Sequence, residues 1–247
     1  MDTPTAVALS RLTAQQRSLD VIANNLANLS TPGFKASRTL FSDWLSRQTG
    51  ADIPQGGETV AYTQDRATYR DNQEGPLTHT GDPLDLAITG QGFFAVQTPN
   101  GTRLTRAGHF GLMPDGTIAN DAGDALLDAN GRPIRLAPTD SVLTVAGDGT
   151  LSSENGQLTK IGVVAPTDAM RLAQEGGELL RDDQTPQPVA NPRIVQGAVE
   201  ESNVQPVLEL TRMMTALREF QFTSQLVQSE ADRHQAAIDK LLAQRSS

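Results

Sequence analysis

The run PVLELTRMMTALREFQFTSQLVQSEADRHQAAIDKLLA, residues 206–243, decides how the rest of the chain is read. Within it Leu210, Met213, Leu217, Phe220, Val227, Ala231, Ile238 and Leu241 follow one alternating three-and-four spacing, interrupted by polar Ser224 and His234. A repeat of ~3.5 residues predicts a helix that buries a narrow seam against other helices. Pro206 fits the first turn, where its missing N–H costs nothing, and Asn203 or Ser202 can cap ahead of it. At ~1.5 Å rise per residue this helix is a rod of roughly 57 Å. A rod of that length cannot fold back into a small domain, so it requires a partner.

The other end of the chain offers one. Leu12, Leu19 and Leu26 stand seven apart, Ile22 and Leu29 occupy seam positions with them, and Gln, Arg, Ser, Asp and Asn cover the other faces. This helix is predicted to stop at Ser30-Thr31-Pro32-Gly33, because the residue before proline is pushed out of the α region and Gly33 permits a turn. The two ends read as matched amphipathic helices able to pair in a coiled-coil-like way, with a different kind of protein between them. Two arrangements fit the pattern: an antiparallel pair that closes one subunit, and seams that also join neighbouring copies.

Composition narrows the function classes. Hydrophobic residues are 37% and aromatic residues 4% of the 247, which calls for a thin, mostly aliphatic core. Residues 1–30 and 206–247 together carry seven basic and seven acidic side chains, leaving 13 of the 20 basic and 22 of the 29 acidic residues in 31–205. The whole net charge of −9 therefore lies in the middle. An acidic middle argues against nucleic acid and anionic membrane as partners, and neutral ends can pack on copies of themselves without like-charge repulsion. Cysteine is absent, so disulfides and thiolate metal sites are excluded. The start Met-Asp-Thr-Pro-Thr does not resemble a secretory signal, and no stretch approaches the ~20 apolar residues of a membrane span.

Between the ends the texture changes. Phe41, Trp44 and Leu45 suggest a short helical or extended stretch, and Gly50 to Gly57 reads as loop. From Leu84 to Val164, short apolar runs alternate with five Asx-Gly dipeptides: Asn100-Gly101, Asp115-Gly116, Asn130-Gly131, Asp148-Gly149 and Asn155-Gly156. Each suits a tight turn at positive φ, and their regular spacing predicts successive hairpins in an antiparallel sandwich or barrel. Residues 166–192 read as irregular connection. The expected fold is α+β: an N-terminal helix over 1–34, a connecting segment over 35–75, a mainly antiparallel β domain over 76–200 and a C-terminal helix over 201–247.

Candidate chemistry is thin. Asp121, Asp124, Asp128 and Asn130 are the densest oxygen-ligand cluster, but they miss the EF-hand pattern and suit turn capping better. His79, His109 and His234 have no second imidazole at ligand spacing, and no nucleophile elbow is present. Gly90-Gln91-Gly92 lacks the third glycine of a dinucleotide fingerprint and is better explained by a bulge or close backbone approach. No catalytic, cofactor-binding or metal-ligating residue is assigned.

Three stretches carry a family resemblance. Val21-Ile22-Ala23-Asn24-Asn25-Leu26-Ala27-Asn28, followed by Thr31-Pro32-Gly33-Phe34-Lys35, closely resembles the N-terminal signature of flagellar rod and hook proteins. The run from Gly81-Asp82-Pro83 to Gly90-Gln91-Gly92-Phe93-Phe94-Ala95-Val96, with Thr105-Arg106-Ala107-Gly108 after it, resembles the β segment of that family. Glu201-Ser202-Asn203-Val204 resembles its closing motif. Length, the Met-Asp start and Glu230-Ala231-Asp232-Arg233 are most similar to the proximal-rod branch, with the distal-rod branch as the alternative.

The resemblance implies a structural subunit that polymerises helically with copies of itself and with other rod proteins, transmitting torque to the hook. It also implies export uncleaved by the flagellar type III apparatus, a place in the basal-body rod across the periplasmic space, and no cofactor. In such a subunit the terminal helices would pair as a coiled-coil-like inner domain and the seam residues would carry axial cohesion. The Asn24, Asn25 and Asn28 carboxamides, off the seam, would either hydrogen-bond between helices or form solvated polar faces. Outside the resemblance, a secreted binding module remains the competing class.

Overall fold

The computed structural model describes residues 3–48, 58–168, 172–176 and 178–245. The fold is α+β, with a helix at each end and antiparallel sheets between them. The chain divides into two compact units. One comprises Met1–Ala27, Ser37–Tyr69 and Gln205–Ser247, and the other Asn28–Ala36 and Arg70–Val204.

In the first unit, α1 (Thr3–Ala27) lies against α2 (Pro206–Arg245). The 40 residues of α2 make a rod of about 60 Å. Pro206 is its first residue, as expected, but neither Asn203 nor Ser202 caps it. The Asn203 carboxamide is committed elsewhere, to Ala36, Asp71 and Gln73, and the Ser202 hydroxyl accepts from the Val204 N–H. The span read as a connection holds two paired strands, β1 (Ser37–Gln48) and β2 (Glu58–Arg70). Thr59, Val60, Tyr62, Thr63, Thr68 and Tyr69 give β2 the β-branched and aromatic content of a strand without strict apolar alternation. The Gly50–Gly57 loop, and the side-chain surroundings of Phe41, Trp44 and Leu45, lie outside the described residues.

The second unit is built on hairpins. Its strands begin with β3 (Leu77–His79), β4 (Leu86–Ile88), β5 (Phe93–Thr98) and β6 (Gly101–Thr105). Strands β5 and β6 form the centre of the largest sheet, where β5 also pairs with Ala125–Leu126 and Val163–Ala165, and β6 with Leu180–Arg181. A three-stranded sheet spans 144–160. Ala198–Glu200 returns to pair with β3, and Ile194–Gln196 with β4. Among the described residues of this unit the strand pairings are antiparallel. Gly101, Gly116, Gly149 and Gly156 close strand-to-strand turns at positive φ, and Gly131 sits in a bridged turn. Beneath them lies one aliphatic core that includes Ile88, Val96, Leu126, Leu151 and Ile161, with Phe94 and Phe110 packed edge-to-face at 5.4 Å. One aromatic pair in an aliphatic core accords with the low aromatic content.

Gly33 shows why the turn after α1 takes its shape. Its φ is +72°, and a Cβ there would stand 2.3 Å from the Ala107 nitrogen. Only glycine permits that backbone approach.

Candidate functional site

The candidate functional features are a buried polar junction in each unit and an exposed surface of α2. The first junction joins α1, β1 and α2. Asn25, fully buried, accepts from the Ser37 N–H at 2.8 Å and donates to the Ser37 carbonyl at 2.9 Å, so its carboxamide acts as a strand partner at the start of β1. The same amide nitrogen donates to Glu209 at 3.3 Å. Glu209, also fully buried, accepts from Arg38 at 2.5 Å and Arg212 at 2.7 Å. Burial pushes the Glu209 carboxyl up, but the hydrogen bonds from Arg38 and Asn25 and the two arginine charges outweigh it and hold it below its ordinary value. Beside this junction is a groove of about 410 Å³, with Ser18 and Ile22 on one wall, Thr215 and Ala216 on another, and Tyr69 and Arg38 at its edge.

Burial along the helices runs against residue type. The most buried side chains are Ala14, Gln15, Ile22 and Asn25 on α1, and Glu209 and Thr223 on α2. Leu9, Val207, Leu208, Leu210, Met214, Leu217, Phe222 and Leu226 are exposed. Of the expected seam residues, Ile22 is buried; Leu12, Leu19, Leu26, Met213, Phe220 and Val227 are half-buried; Leu210, Leu217 and Ala231 are exposed. Leu29 packs with Phe34, Ala36 and Val204 in the second unit. The side chains of Ile238 and Leu241 lie outside the described residues. Of the three motif asparagines, Asn25 bridges α1 to α2, Asn28 accepts from the Thr31 hydroxyl, and Asn24 is exposed.

The second junction lies within the β unit. Glu200, fully buried, accepts from Lys35 at 2.5 Å, the Gly75 N–H at 2.9 Å and Arg106 at 3.0 Å. Lys35 also donates to the Gln73 carbonyl and Arg106 to the Ile88 and Gly90 carbonyls, while the guanidinium sits 5.3 Å from the centre of the Phe93 ring. Burial pushes the Lys35 amine below its ordinary pKa against the opposing pull of Glu200. The motif residues Gly33 and Lys35 thus meet Glu200, and Phe34 and Ala36 meet Asn203: the Gly33 N–H donates to the Glu200 carbonyl at 2.7 Å, the Phe34 carbonyl accepts from the Asn203 N–H at 3.3 Å, and the Asn203 carboxamide binds the Ala36 N–H at 2.8 Å. Gly90 and Gly92 have positive φ, and a Cβ on Gly92 would press the Val163 side chain at 2.7 Å.

Sequence reasoning missed Glu209, Arg38 and Glu200, and quoted Arg106 within a family-like run without giving it a role. For Glu209 a signal existed, since it stands four residues before Met213 and so puts a charge on the seam ladder.

The chemical candidates have structural duties. Asp128 caps the N–H groups of Asn130 and Arg132, and Asp124 pairs with Asn120. Among the described residues no group of three or more His, Asp or Glu side chains could hold a metal ion, and no helix is long and apolar enough to cross a membrane. His79 and His234 are exposed. His109 binds Asp85 at 2.5 Å, and Asp85 also accepts from the Thr80 hydroxyl. That hydrogen bond raises the His109 pKa, with burial opposing it and the Asp85, Asp121 and Asp82 charges adding to it.

Comparison with known proteins accounts for this arrangement. Residues 6–35 match the flagella basal body rod protein family, residues 87–153 the flagellar hook protein FlgE/F/G D1 domain, and residues 195–240 the flagellar basal body rod FlgEFG protein C-terminal region. The flagellar basal-body rod protein FlgF of Caulobacter vibrioides is 36% identical over 98% of both chains. FlgF of Mesorhizobium japonicum is 36% identical over 95% of this chain and 96% of its own. FlgG of Bacillus subtilis is 34% identical over 86% of this chain and 89% of its own. The chain belongs to the flagellar basal-body rod proteins. Its likeness is of the FlgF type, and it is a structural protein and not an enzyme.

Proposed function

We propose that this chain is a subunit of the proximal rod that polymerises helically and transmits torque from the motor to the hook. The inverted burial of the helical unit supports this reading most directly. Val207, Leu210, Met214 and Leu217 recur at three- and four-residue steps on the exposed side of α2, while Asn25, Glu209 and Gln15 occupy interior positions. Apolar surface left in water forgoes about 25 cal/mol per Å², so a second helical stripe facing outward favours association with further helices. The pairing is coiled-coil-like. The expected seam, Leu12, Leu19, Ile22, Leu26 and Leu29 with Leu210, Met213, Leu217, Phe220, Val227, Ala231, Ile238 and Leu241, then divides between contacts inside one chain and contacts between copies.

The partners are other copies of the chain and other rod proteins, joined by a heterologous contact that repeats without closing. The chain reaches the rod, across the periplasmic space, through the flagellar type III export apparatus without a cleaved signal. Leu217→Asp tests the reading because Leu217 is 40% exposed in the single chain. The purified variant should keep its helix content and lose less than about 0.5 kcal/mol of stability, while cells carrying it should build no hook or filament. Cells that swim normally would overturn the assignment of this stripe to assembly.

A further inference from the structure

We propose that the Asn25–Glu209 junction is the register pin of the helical unit: it selects one alignment of α1 against α2 from several that the seam would accept. The seam itself discriminates weakly. Leu12, Leu19 and Leu26 repeat every seven residues, and α2 repeats on the same period, so a slide of one heptad puts similar side chains opposite one another. The buried seam residues add little selection. Ala14 is small, both amide atoms of Gln15 lack a hydrogen-bond partner, and the Thr223 hydroxyl is spent on the Glu219 carbonyl of its own helix.

The junction behaves differently because its partners come from three elements. Asn25 takes both backbone groups of Ser37 and reaches Glu209, and Glu209 takes Arg38 from β1 and Arg212 from α2. A slide of seven residues moves α2 by about 10.5 Å. It would part Glu209 from Asn25 and Arg38, leaving a carboxylate and a carboxamide without the partners that offset their burial. A single buried polar group setting register in a helical pair is a known physical device. The alignment also determines which α2 side chains remain outward, so the pin acts upstream of assembly. In that consequence, though not in its own evidence, the inference rests on the rod-subunit reading.

The absence of cysteine from the sequence makes a direct test possible in the full-length chain. With 25 opposite 209 in an antiparallel pair, Ser18 stands opposite Ala216, and both line the same groove. Ser18→Cys with Ala216→Cys reports the native alignment, and Ser18→Cys with Thr223→Cys reports a slide of one heptad, since a disulfide requires Cα atoms within about 7 Å. In dilute protein the native pair should form its intramolecular disulfide about tenfold or more in excess of the shifted pair. Asn25→Leu and Glu209→Leu, each introduced separately, should bring the two yields to within about twofold. The inference is overturned if the parent shows no preference or if either variant keeps the parent's preference. It is equally overturned if the variants lose both disulfides together with helical circular dichroism, because the junction would then carry folding and not alignment. Motility is scored separately, so a failed pin and a failed rod assignment give different results.

Discussion

Replacing Glu200 by alanine should be the most damaging single truncation in the β unit. The carboxylate is fully buried and accepts from Lys35, Arg106 and the Gly75 N–H. Its removal leaves an ammonium and a guanidinium whose side chains are 4% and 5% exposed, each keeping neutral partners (carbonyls, and for Arg106 the Phe93 ring) and each repelling the other. Breaking a buried ion pair from one side costs about 3–5 kcal/mol, because the abandoned charge has no water to replace its partner. Two abandoned charges put the expectation at the upper end of that range. For a domain of this size it corresponds to a fall of roughly 10–20 °C in thermal midpoint. Urea denaturation followed by circular dichroism measures it, and Asp183→Ala supplies the control. Asp183 pairs with Arg181 at 2.9 Å on the surface, where such pairs are worth less than about 1 kcal/mol. A loss below about 1 kcal/mol for Glu200→Ala, or one equal to the control, would refute the claim that this network holds the unit together.

Three further outcomes are expected. Gly33→Ala should cost at least about 2 kcal/mol in a thermal melt, since the φ of +72° and the Ala107 backbone both oppose a Cβ, and an unchanged midpoint would contradict this. Gln15→Leu should stabilise the helical unit by about 1–3 kcal/mol by removing a buried amide without partners; a drop in helix stability would show that the amide is satisfied in solution. His109 has a folded pKa above its ordinary 6.5, so its contribution is complete below about pH 6.5 and disappears as pH rises through the folded value. The difference in midpoint between the parent and His109→Gln should therefore be largest in mild acid and vanish in alkali, and a difference that grew with pH would exclude the Asp85 interaction as its cause.

The elements that sequence made legible are those governed by local rules. Pro206 opens α2, α1 stops ahead of Pro32, and four Asx-Gly dipeptides close strand pairs because glycine alone tolerates their backbone. What stayed hidden depends on residues distant in the chain. Lys35, Arg106 and Glu200 are 165 residues apart at the extremes, and nothing local in a lysine or an arginine announces a shared carboxylate. The helix seam was ambiguous for a different reason. On α2 the stripe through Leu210, Met213, Leu217 and Phe220 overlaps one through Glu209, Met213, Ala216, Phe220 and Thr223, and a repeat alone does not say which of them meets α1. The strand at 58–70 was legible only through β-branched and aromatic content, and the one at 37–48 had still less to show, with Thr39 its single β-branched residue and no clean alternation.

The stitching of Gly33 and Ala36 to Glu200 and Asn203 has an evolutionary reach. The run Arg70–Val204 begins and ends at one doorway, where the Asn203 carboxamide holds the Asp71 carbonyl and the Ala36 N–H, so the residues between form a cassette closed by that frame of hydrogen bonds. Insertions or deletions on the far side of such a doorway need not disturb the frame, which is the condition under which proteins accept domain grafts. A lineage could lengthen, trim or exchange that cassette to fit a new neighbour while inheriting the same threshold unchanged.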